Sequence, residues 1–205
     1  MTTPFFRLRI AAPLVAAALA LLPLASCERT PDLGAAPPSD GGAAPDDAAL
    51  AEIGGTVSQA LMDSLGTQLK AALEAGGPVA AVTLCQGVAM PLTEAAGQDH
   101  EGVSVRRTTL RPRNPANEPD DTDRAVLEAM VASQPPVAEI RREEGAARYY
   151  RPLIVQELCL KCHGDPAGFP EELRETLAQL YPDDAATGYS LGELRGAIRV
   201  DIPVP

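Results

Sequence analysis

A five-residue motif constrains this chain more than any other feature. It reads Cys159-Leu160-Lys161-Cys162-His163, so two cysteines lie three positions apart and a histidine follows directly. Within one helical turn, that spacing lets both thiols reach the vinyl groups of a porphyrin and form thioethers. The adjacent histidine then lies against the iron and can bind it. The motif therefore predicts one covalently bound haem c, held by Cys159, Cys162 and His163.

Two other kinds of site use the same residue types. A thioredoxin-like cysteine pair requires a βαβ context, whereas the segment before Cys159 has the pattern of the last strand of a hairpin. A structural zinc site requires four ligands, typically from a second paired motif, and only the isolated Cys85 and His100 remain for that role. Both alternatives stay open, and the motif favours haem over either.

The N-terminal segment has the pattern of an export signal. Its only charges are two arginines, an apolar run from Ile10 to Leu24 follows, and Ala25 and Ser26 precede Cys27. The sequence Leu24-Ala25-Ser26-Cys27 also resembles a bacterial lipobox, in which the cysteine becomes the lipidated first residue. We therefore expect residues 1–26 to be a lipoprotein signal peptide and Cys27 to carry a lipid anchor. Because c-type haem is attached after export, this supports the haem prediction.

Charge and location follow from the same cleavage. The whole chain has a formal charge of −11, and removing the two arginines of the signal peptide would leave −13. Such a charge disfavours nucleic acid and would steer a basic protein partner toward the surface. We expect a lipoprotein that faces the periplasm. Glu28, which follows Cys27, weakly favours the outer membrane.

The rest of the chain divides into a tether and one folded domain. Residues 27–48 are rich in Pro, Gly, Ala and Asp and predict a flexible tether, followed by a domain over residues 49–205. Apolar residues at helical spacing predict a helix that ends at Gly76-Gly77, and Pro78 opens a second helix with Cys85 on its apolar face. Further segments predict a strand (102–110), a loop (111–120), a helix capped by Asp121 or Thr122, a hairpin (137–155), a short helix (170–181) and a closing strand (193–202). This order predicts an α+β fold with an antiparallel sheet.

The other face of the iron has several candidate ligands, namely Cys85, His100, Met62, Met90 and Met130. Met62 and Met130 lie near apolar stripes and have the pattern of core residues, while Met90 lies about 140° around its helix from Cys85. His100 is in a polar turn. Cys85 has no cysteine left to pair with once the lipid and the haem have taken the other three. From the residues alone, Cys85 is either an iron ligand or a small buried hydrophobe.

A basic cluster precedes the predicted loop in an otherwise acidic chain. Its members are Arg106, Arg107, Arg111 and Arg113. Arginines of this kind pair with carboxylates, so they can either hold haem propionates or balance the nearby aspartates. We expect at least one propionate contact, with Arg106 and Arg107 as the candidates. Tyr149, Tyr150 and Tyr189 can line a haem pocket or belong to the core.

Four blocks of sequence resemble a known family. They are Leu84-Cys85-Gln86, the arginine-rich block from Val105 to Pro119, the haem motif from Leu158 to Gly164, and the block from Gly188 to Ile198. In this order they are similar to single-haem periplasmic c-type cytochromes with a PAS-like fold, a domain-of-unknown-function family with a Tll-like haem-binding domain. The resemblance covers most of the folded part. It implies a PAS-like antiparallel sheet with N-terminal helices, and iron held by His163 and Cys85.

That ligand pair favours one function among three. Because thiolate stabilises ferric iron, it lowers the reduction potential, and weakening of its bond on reduction would open a site for a diatomic gas. We therefore expect a low-potential redox or gas-sensing module that acts on a separate, unidentified redox or signalling partner. The alternative is a simple periplasmic electron-transfer cytochrome. An enzyme would need a distal acid–base group, for which only His100 is available, so we expect no catalytic activity.

Overall fold

A computed structural model describes residues 44–133 and 135–205. The predicted signal peptide, Cys27 and the tether as far as residue 43 lie outside the described residues. The helices are α1 (Asp47–Ala95), α2 (Asp121–Ala132), α3 (Leu160–His163) and α4 (Glu171–Leu180), and the strands are β1 (Ser104–Thr108), β2 (Glu139–Glu143), β3 (Ala146–Ile154) and β4 (Leu194–Pro203). Short 3-10 turns cover Pro115–Asn117 and Pro166–Gly168.

The four strands form one antiparallel sheet in the order β1-β4-β3-β2. The last strand of the chain, β4, therefore lies between β1 and β3. A tight turn at Glu144-Gly145 joins β2 to β3, and Gly145 has the positive φ, 73°, that such turns require. The predicted α+β fold, the hairpin and the closing strand are confirmed.

Helix α1 is broken in the middle, as the glycine pair predicts. Gly76 (φ −160°, ψ 21°) and Gly77 (φ 69°, ψ −162°) leave the helical conformation, and Pro78 follows them. Leu65 and Leu92 pack against the same core cluster, although 27 residues of straight helix would separate them by about 40 Å. The two parts of α1 therefore fold back on each other. We call residues 47–75 the first arm and residues 78–95 the second arm.

By length and composition, α1 is the one helix among the described residues that could cross a membrane. Its first arm instead covers one face of the sheet, where Leu50, Val57 and Leu61 are almost fully buried against the strands. The glycine break also interrupts its apolar run. We therefore assign α1 to the folded domain.

The opposite face of the sheet is covered by α2. There Val126, Leu127 and Met130 pack against Tyr150 and Ala197, so Met130 is a core residue as its position predicts. The cap of α2 differs from the prediction. It is Asp120, whose extended backbone lets its Oδ1 accept a hydrogen bond from Asp123 N at 2.8 Å, whereas Asp121 already has helical geometry.

Helix α4 packs on the second arm of α1. Leu173 and Leu177 of α4 lie with Phe169 against Val82, and Cys162 of α3 contacts the same cluster. The spacing of apolar residues in 170–181 predicted this amphipathic helix, and its bounds agree within one residue. This packing brings the haem motif next to the arm that carries Cys85.

Candidate functional site

The haem motif forms a single helical turn, α3, that begins directly after Cys159. His163 N donates to Cys159 O at 2.9 Å, and Gly164 N donates to Leu160 O at 3.0 Å. Within residues 44–133 and 135–205, Cys159 and Cys162 form no disulfide, and both are partly accessible to solvent. The turn therefore holds two thiols and an imidazole in the local conformation that the spacing predicts.

The imidazole of His163 is oriented by one backbone carbonyl. Its Nδ1 lies 2.6 Å from Ala186 O, and a carbonyl can only accept, so Nδ1 carries the proton and donates it. Burial, with a smaller contribution from the positive charges of Arg195 and Arg113, lowers the pKa of His163 to about 3. The ring is therefore neutral at physiological pH, with an unprotonated Nε2 that can bind a metal.

The segment that contains Ala186 is hydrogen-bonded to the backbone of the motif. Gly188 N donates to Gly164 O at 2.7 Å, and Tyr189 N donates to His163 O at 2.9 Å. The Tyr189 ring stands edge-on to the His163 ring, with the centroids 6.3 Å apart. Of the three tyrosines considered from the sequence, Tyr189 lies at the site, whereas Tyr149 and Tyr150 belong to the core.

Cys85 lies on the second arm and is partly buried. Burial raises the pKa of its thiol, and the positive charges of Arg107 and Arg113 offset part of that rise. The pKa of Cys162 is also raised, first by burial and, to a smaller extent, by the Cys85 sulfur. Cys162 also packs against the cluster that contains Val82, three residues before Cys85 on the second arm, so the structure brings Cys85 and the haem motif together.

Arg106 and Arg107 point to opposite faces of the sheet, as successive residues of a strand must. Arg107 pairs with Ile198, which lies in the core on the α1 face. There its Nη2 is 3.5 Å from Met90 Sδ, and its buried Nε has no hydrogen-bond partner among the described residues. Arg107 therefore faces the site with an unused donor.

Arg106 is held elsewhere. Its Nη2 donates to Glu118 O at 2.6 Å and to Ala116 O at 3.4 Å, on the α2 face of the sheet. Its Nε is also buried and unpaired among the described residues, but the sheet separates it from Cys85. The structure thus does not bring Arg106 to the haem motif.

Arg111 and Arg113 bind the protein itself. Arg113 Nη2 donates to Cys162 O at 2.6 Å, and its Nε forms an ion pair with Asp184 Oδ2 at 2.9 Å. Arg111 donates to the carbonyls of Ala185 and Thr187. Asp184 and Ala186 are not predictable from any local sequence pattern, because their partners lie more than 20 residues away in the chain.

The remaining candidate ligands are His100, Met62 and Met90. His100 is exposed in the turn after α1, and Met62 packs against the core. Met90 is partly buried and its Sδ lies 3.5 Å from Arg107 Nη2, so it approaches the same arginine whose charge acts on Cys85. Among residues 44–133 and 135–205, no three His, Cys, Asp or Glu side chains form a group that could hold a metal ion.

The sequence profile of the Tll0287-like family matches residues 45–203, which include every site residue named above except Cys27. The chain belongs to the Tll0287-like family. It is similar to a solved structure described as the crystal structure of the cyanobacterial heme-protein Tll0287, with 25% identity and a TM-score of 0.59. The similarity covers 78% of this chain and 97% of the cyanobacterial protein. No curated protein matches the chain. The family resemblance deduced from the four sequence blocks is confirmed.

Proposed function

We propose that this Tll0287-like chain is a single-haem c-type cytochrome of the bacterial cell envelope, acting as a low-potential redox or gas-sensing module. The observation that carries the proposal is the hydrogen bond from His163 Nδ1 to Ala186 O, within a turn that also holds two free thiols. That bond leaves Nε2 as the metal-binding nitrogen. The similar cyanobacterial structure is described as that of a heme-protein, which supports haem as the cofactor here.

The residues of the site suit one haem c. Cys159 and Cys162 would form the thioethers, His163 Nε2 would bind the iron on one side, and Cys85 would bind it on the other. The unpaired, buried Nε of Arg107 would donate to a propionate. When bound, the haem supplies a one-electron iron centre whose potential depends on its axial ligands.

Cys85 is the residue that decides between sensing and simple electron transfer. A thiolate ligand favours oxidised iron, so Cys85 as a ligand would lower the reduction potential of a bound haem and would bind less firmly to the reduced iron. Departure of its sulfur would leave a position at which a diatomic gas can bind. The second arm of α1 would hold the displaced thiol in the partly buried position in which it lies here.

The proposal extends to location and partners. Residues 1–26 would direct export, Cys27 would carry the lipid anchor, and the PAS-like domain would face the periplasm, with the outer membrane slightly favoured. The acidic chain would signal to, or exchange electrons with, a separate basic protein rather than nucleic acid. We propose no enzymatic role, which is supported by the exposed position of His100 in the turn after α1.

Covalent attachment is tested on the purified, exported protein. We expect the haem of the wild type and of Cys85→Ala to remain with the protein after acid–acetone extraction. Cys159→Ala and Cys162→Ala should each lose one thioether, which the α-band of the pyridine haemochrome reports. A wild-type haem that is extracted completely would contradict the c-type assignment.

Axial ligation is tested by redox titration with optical spectroscopy, with and without carbon monoxide. We expect a low, reversible midpoint potential and carbon monoxide binding to the reduced wild type. Cys85→Ala should change the ferric spectrum and raise the potential, whereas Met90→Leu, which replaces the nearby sulfur, should change neither. A mid-range potential without carbon monoxide binding would instead indicate the simple electron carrier.

A further inference from the structure

We propose that Arg113 and Asp184 act together as positioning residues that fix the orientation of the His163 ring. The inference rests on the proposed function only in that His163 is taken as an iron ligand. Neither side chain needs to touch the haem for this role. Both act through the backbone of the segment from Asp184 to Tyr189 and through the motif itself.

Hydrogen bonds and one ion pair link Asp184, Ala186, His163 and Arg113 in a closed loop. Asp184 Oδ1 accepts from Ala186 N at 2.8 Å, and Ala186 O accepts from His163 Nδ1 at 2.6 Å. Asp184 Oδ2 pairs with Arg113 Nε at 2.9 Å, and Arg113 Nη2 donates to Cys162 O at 2.6 Å. Cys162 directly precedes His163. The Arg113–Asp184 ion pair therefore holds both the backbone next to His163, through Arg113, and the Ala186 carbonyl that orients the imidazole, through Asp184.

This closed loop of contacts is buried, which strengthens it. The side chains of Arg113 and Asp184 are only 12% and 9% exposed, and Ala186 is fully buried. A buried charge that loses its partner is strongly destabilised, so each member of the pair confines the other. The neighbouring backbone is also held, because Ala185 N donates to Pro112 O at 3.0 Å.

The orientation of a ligating histidine has electronic consequences. The group that accepts from the second ring nitrogen fixes the tautomer and the ring plane, and it raises the basicity of the nitrogen that binds the metal. If the Ala186 carbonyl moves, His163 becomes a weaker and less ordered donor. The midpoint potential should then rise, because a weaker donor stabilises the oxidised iron less.

The matched experiment compares two adjacent aspartates in the haem-loaded protein. Asp184→Ala removes the ion pair and the bond to Ala186 N, whereas Asp183→Ala removes the same charge from an exposed position one residue away. We expect Asp184→Ala to change the g-values of the ferric electron paramagnetic resonance spectrum and to raise the midpoint potential. Asp183→Ala should change neither. If Asp184→Ala does not fold, Asp184→Asn, which removes the ion pair but can still accept from Ala186 N, should show changes in the same direction and of smaller size.

A substitution of Arg113 separates positioning from charge. Arg113→Lys keeps the positive charge, but a single ammonium cannot reproduce the fork that binds both Asp184 and the Cys162 carbonyl. If Arg113 acts by positioning, Arg113→Lys should have changed g-values. The double variant Arg113→Lys/Asp184→Ala should then show g-values no further from the wild type than those of the more affected single variant. A pure charge effect would leave Arg113→Lys identical to the wild type.

The outcomes distinguish this inference from the proposed function. A haem-loaded Asp184 variant with the g-values and potential of Asp183→Ala overturns the inference alone. Unchanged g-values in Arg113→Lys also overturn it. A wild-type protein without covalent haem overturns the proposed function and the role given to His163 together.

Discussion

At the scale of single residues, function depends on which polar atoms remain available after the chain has folded. His163 has one nitrogen committed to Ala186 O and one free. Arg113 and Arg111 have donors committed to backbone carbonyls around the motif. Arg107 keeps a buried Nε, without a hydrogen-bond partner in the described part of the chain, on the same side of the sheet as Cys85. The unused donor and the unused imidazole nitrogen define where a cofactor with carboxylates and a metal can bind.

The strand that carries Arg106 and Arg107 offers a matched pair for testing the propionate contact. We expect Arg107→Gln to lower the midpoint potential, because loss of a positive charge near the haem favours oxidised iron. The expected size is about 1–2 kcal/mol in the free energy of reduction for charges roughly 10 Å apart at an effective dielectric constant of about 20. Redox titration measures it.

Arg106→Gln removes the same charge from the other face of β1 and serves as the control. It should leave the potential near that of the wild type, although stability can fall because Arg106 holds the carbonyls of Ala116 and Glu118. Equal shifts in the two variants would show that the contact with a propionate is not specific to Arg107.

At the scale of elements, the decisive contact is the one between the first arm of α1 and the sheet. Gly54 is buried where the helix meets β3, and a Cβ at this position would lie 2.2 Å from Cγ of Tyr149. The helix can approach the strand this closely only because Gly54 has no side chain. The close packing of the first arm on β3 also sets the position of the turn at Gly76-Gly77, and with it the position of the second arm that carries Cys85.

We therefore expect Gly54→Ala to lower the free energy of unfolding by about 1–3 kcal/mol through overpacking. Gly66, in the same arm, serves as the control, because a Cβ added there would have no atom of the described residues as a close neighbour within 4 Å. Gly66→Ala should raise stability by about 0.5–1 kcal/mol through helix propensity. Guanidinium unfolding of both variants measures the difference, and a stabilising Gly54→Ala would contradict the close packing.

At the scale of the whole molecule, the face of the sheet opposite α1 carries an ion-pair network that joins α2 to β3 and β4. Arg199 Nη1 lies 3.0 Å from oxygens of both Asp120 and Asp123, and Arg148 Nη1 lies 2.8 Å from Asp120. The buried Asp123 also accepts from Tyr150 OH at 2.8 Å. The network fixes α2 on the face of the sheet opposite the first arm of α1.

This network makes stability depend on pH. Partial burial by itself would raise the pKa of Asp120, but the hydrogen bond from Asp123 N and the charges of Arg148 and Arg199 hold it below its ordinary value. A carboxyl with a lowered folded-state pKa stabilises the fold above its unfolded pKa of about 3.9 and loses that contribution as the pH falls below it. Acid should therefore weaken the attachment of α2.

Asp120→Asn tests this contribution while keeping a residue that caps helices well. We expect a loss of about 0.5–1 kcal/mol at pH 7, because Asp120 is 40% exposed and its pairs are partly screened. The difference from the wild type should shrink between about pH 4 and pH 2. Unfolding curves at several pH values measure it, with the exposed Asp121→Asn as the control. A constant difference across that range would contradict the assignment.

The sequence alone determined the features that depend on neighbours along the chain. These are the turn of Cys159 to His163, the helix break at Gly76-Gly77 with Pro78, the β2–β3 hairpin and the amphipathic α4. Each follows from spacing, turn chemistry or periodicity within a few residues. The opposite orientation of Arg106 and Arg107 also follows from the two-residue period of a strand. The period does not determine which of the two arginines lies on the same face of the sheet as Cys85.

Only the tertiary structure decided which arginine shares a face with Cys85. It also decided the packing of Cys162 on the arm that carries Cys85 and the link from Arg113 through Asp184 and Ala186 to His163. All of these contacts join segments that are far apart in the chain. They depend on which face of the sheet α1 covers and on how closely Gly54 lets it approach. The motif thus identified where a haem would be attached, and the packing of α1 on the sheet decided which residues surround it.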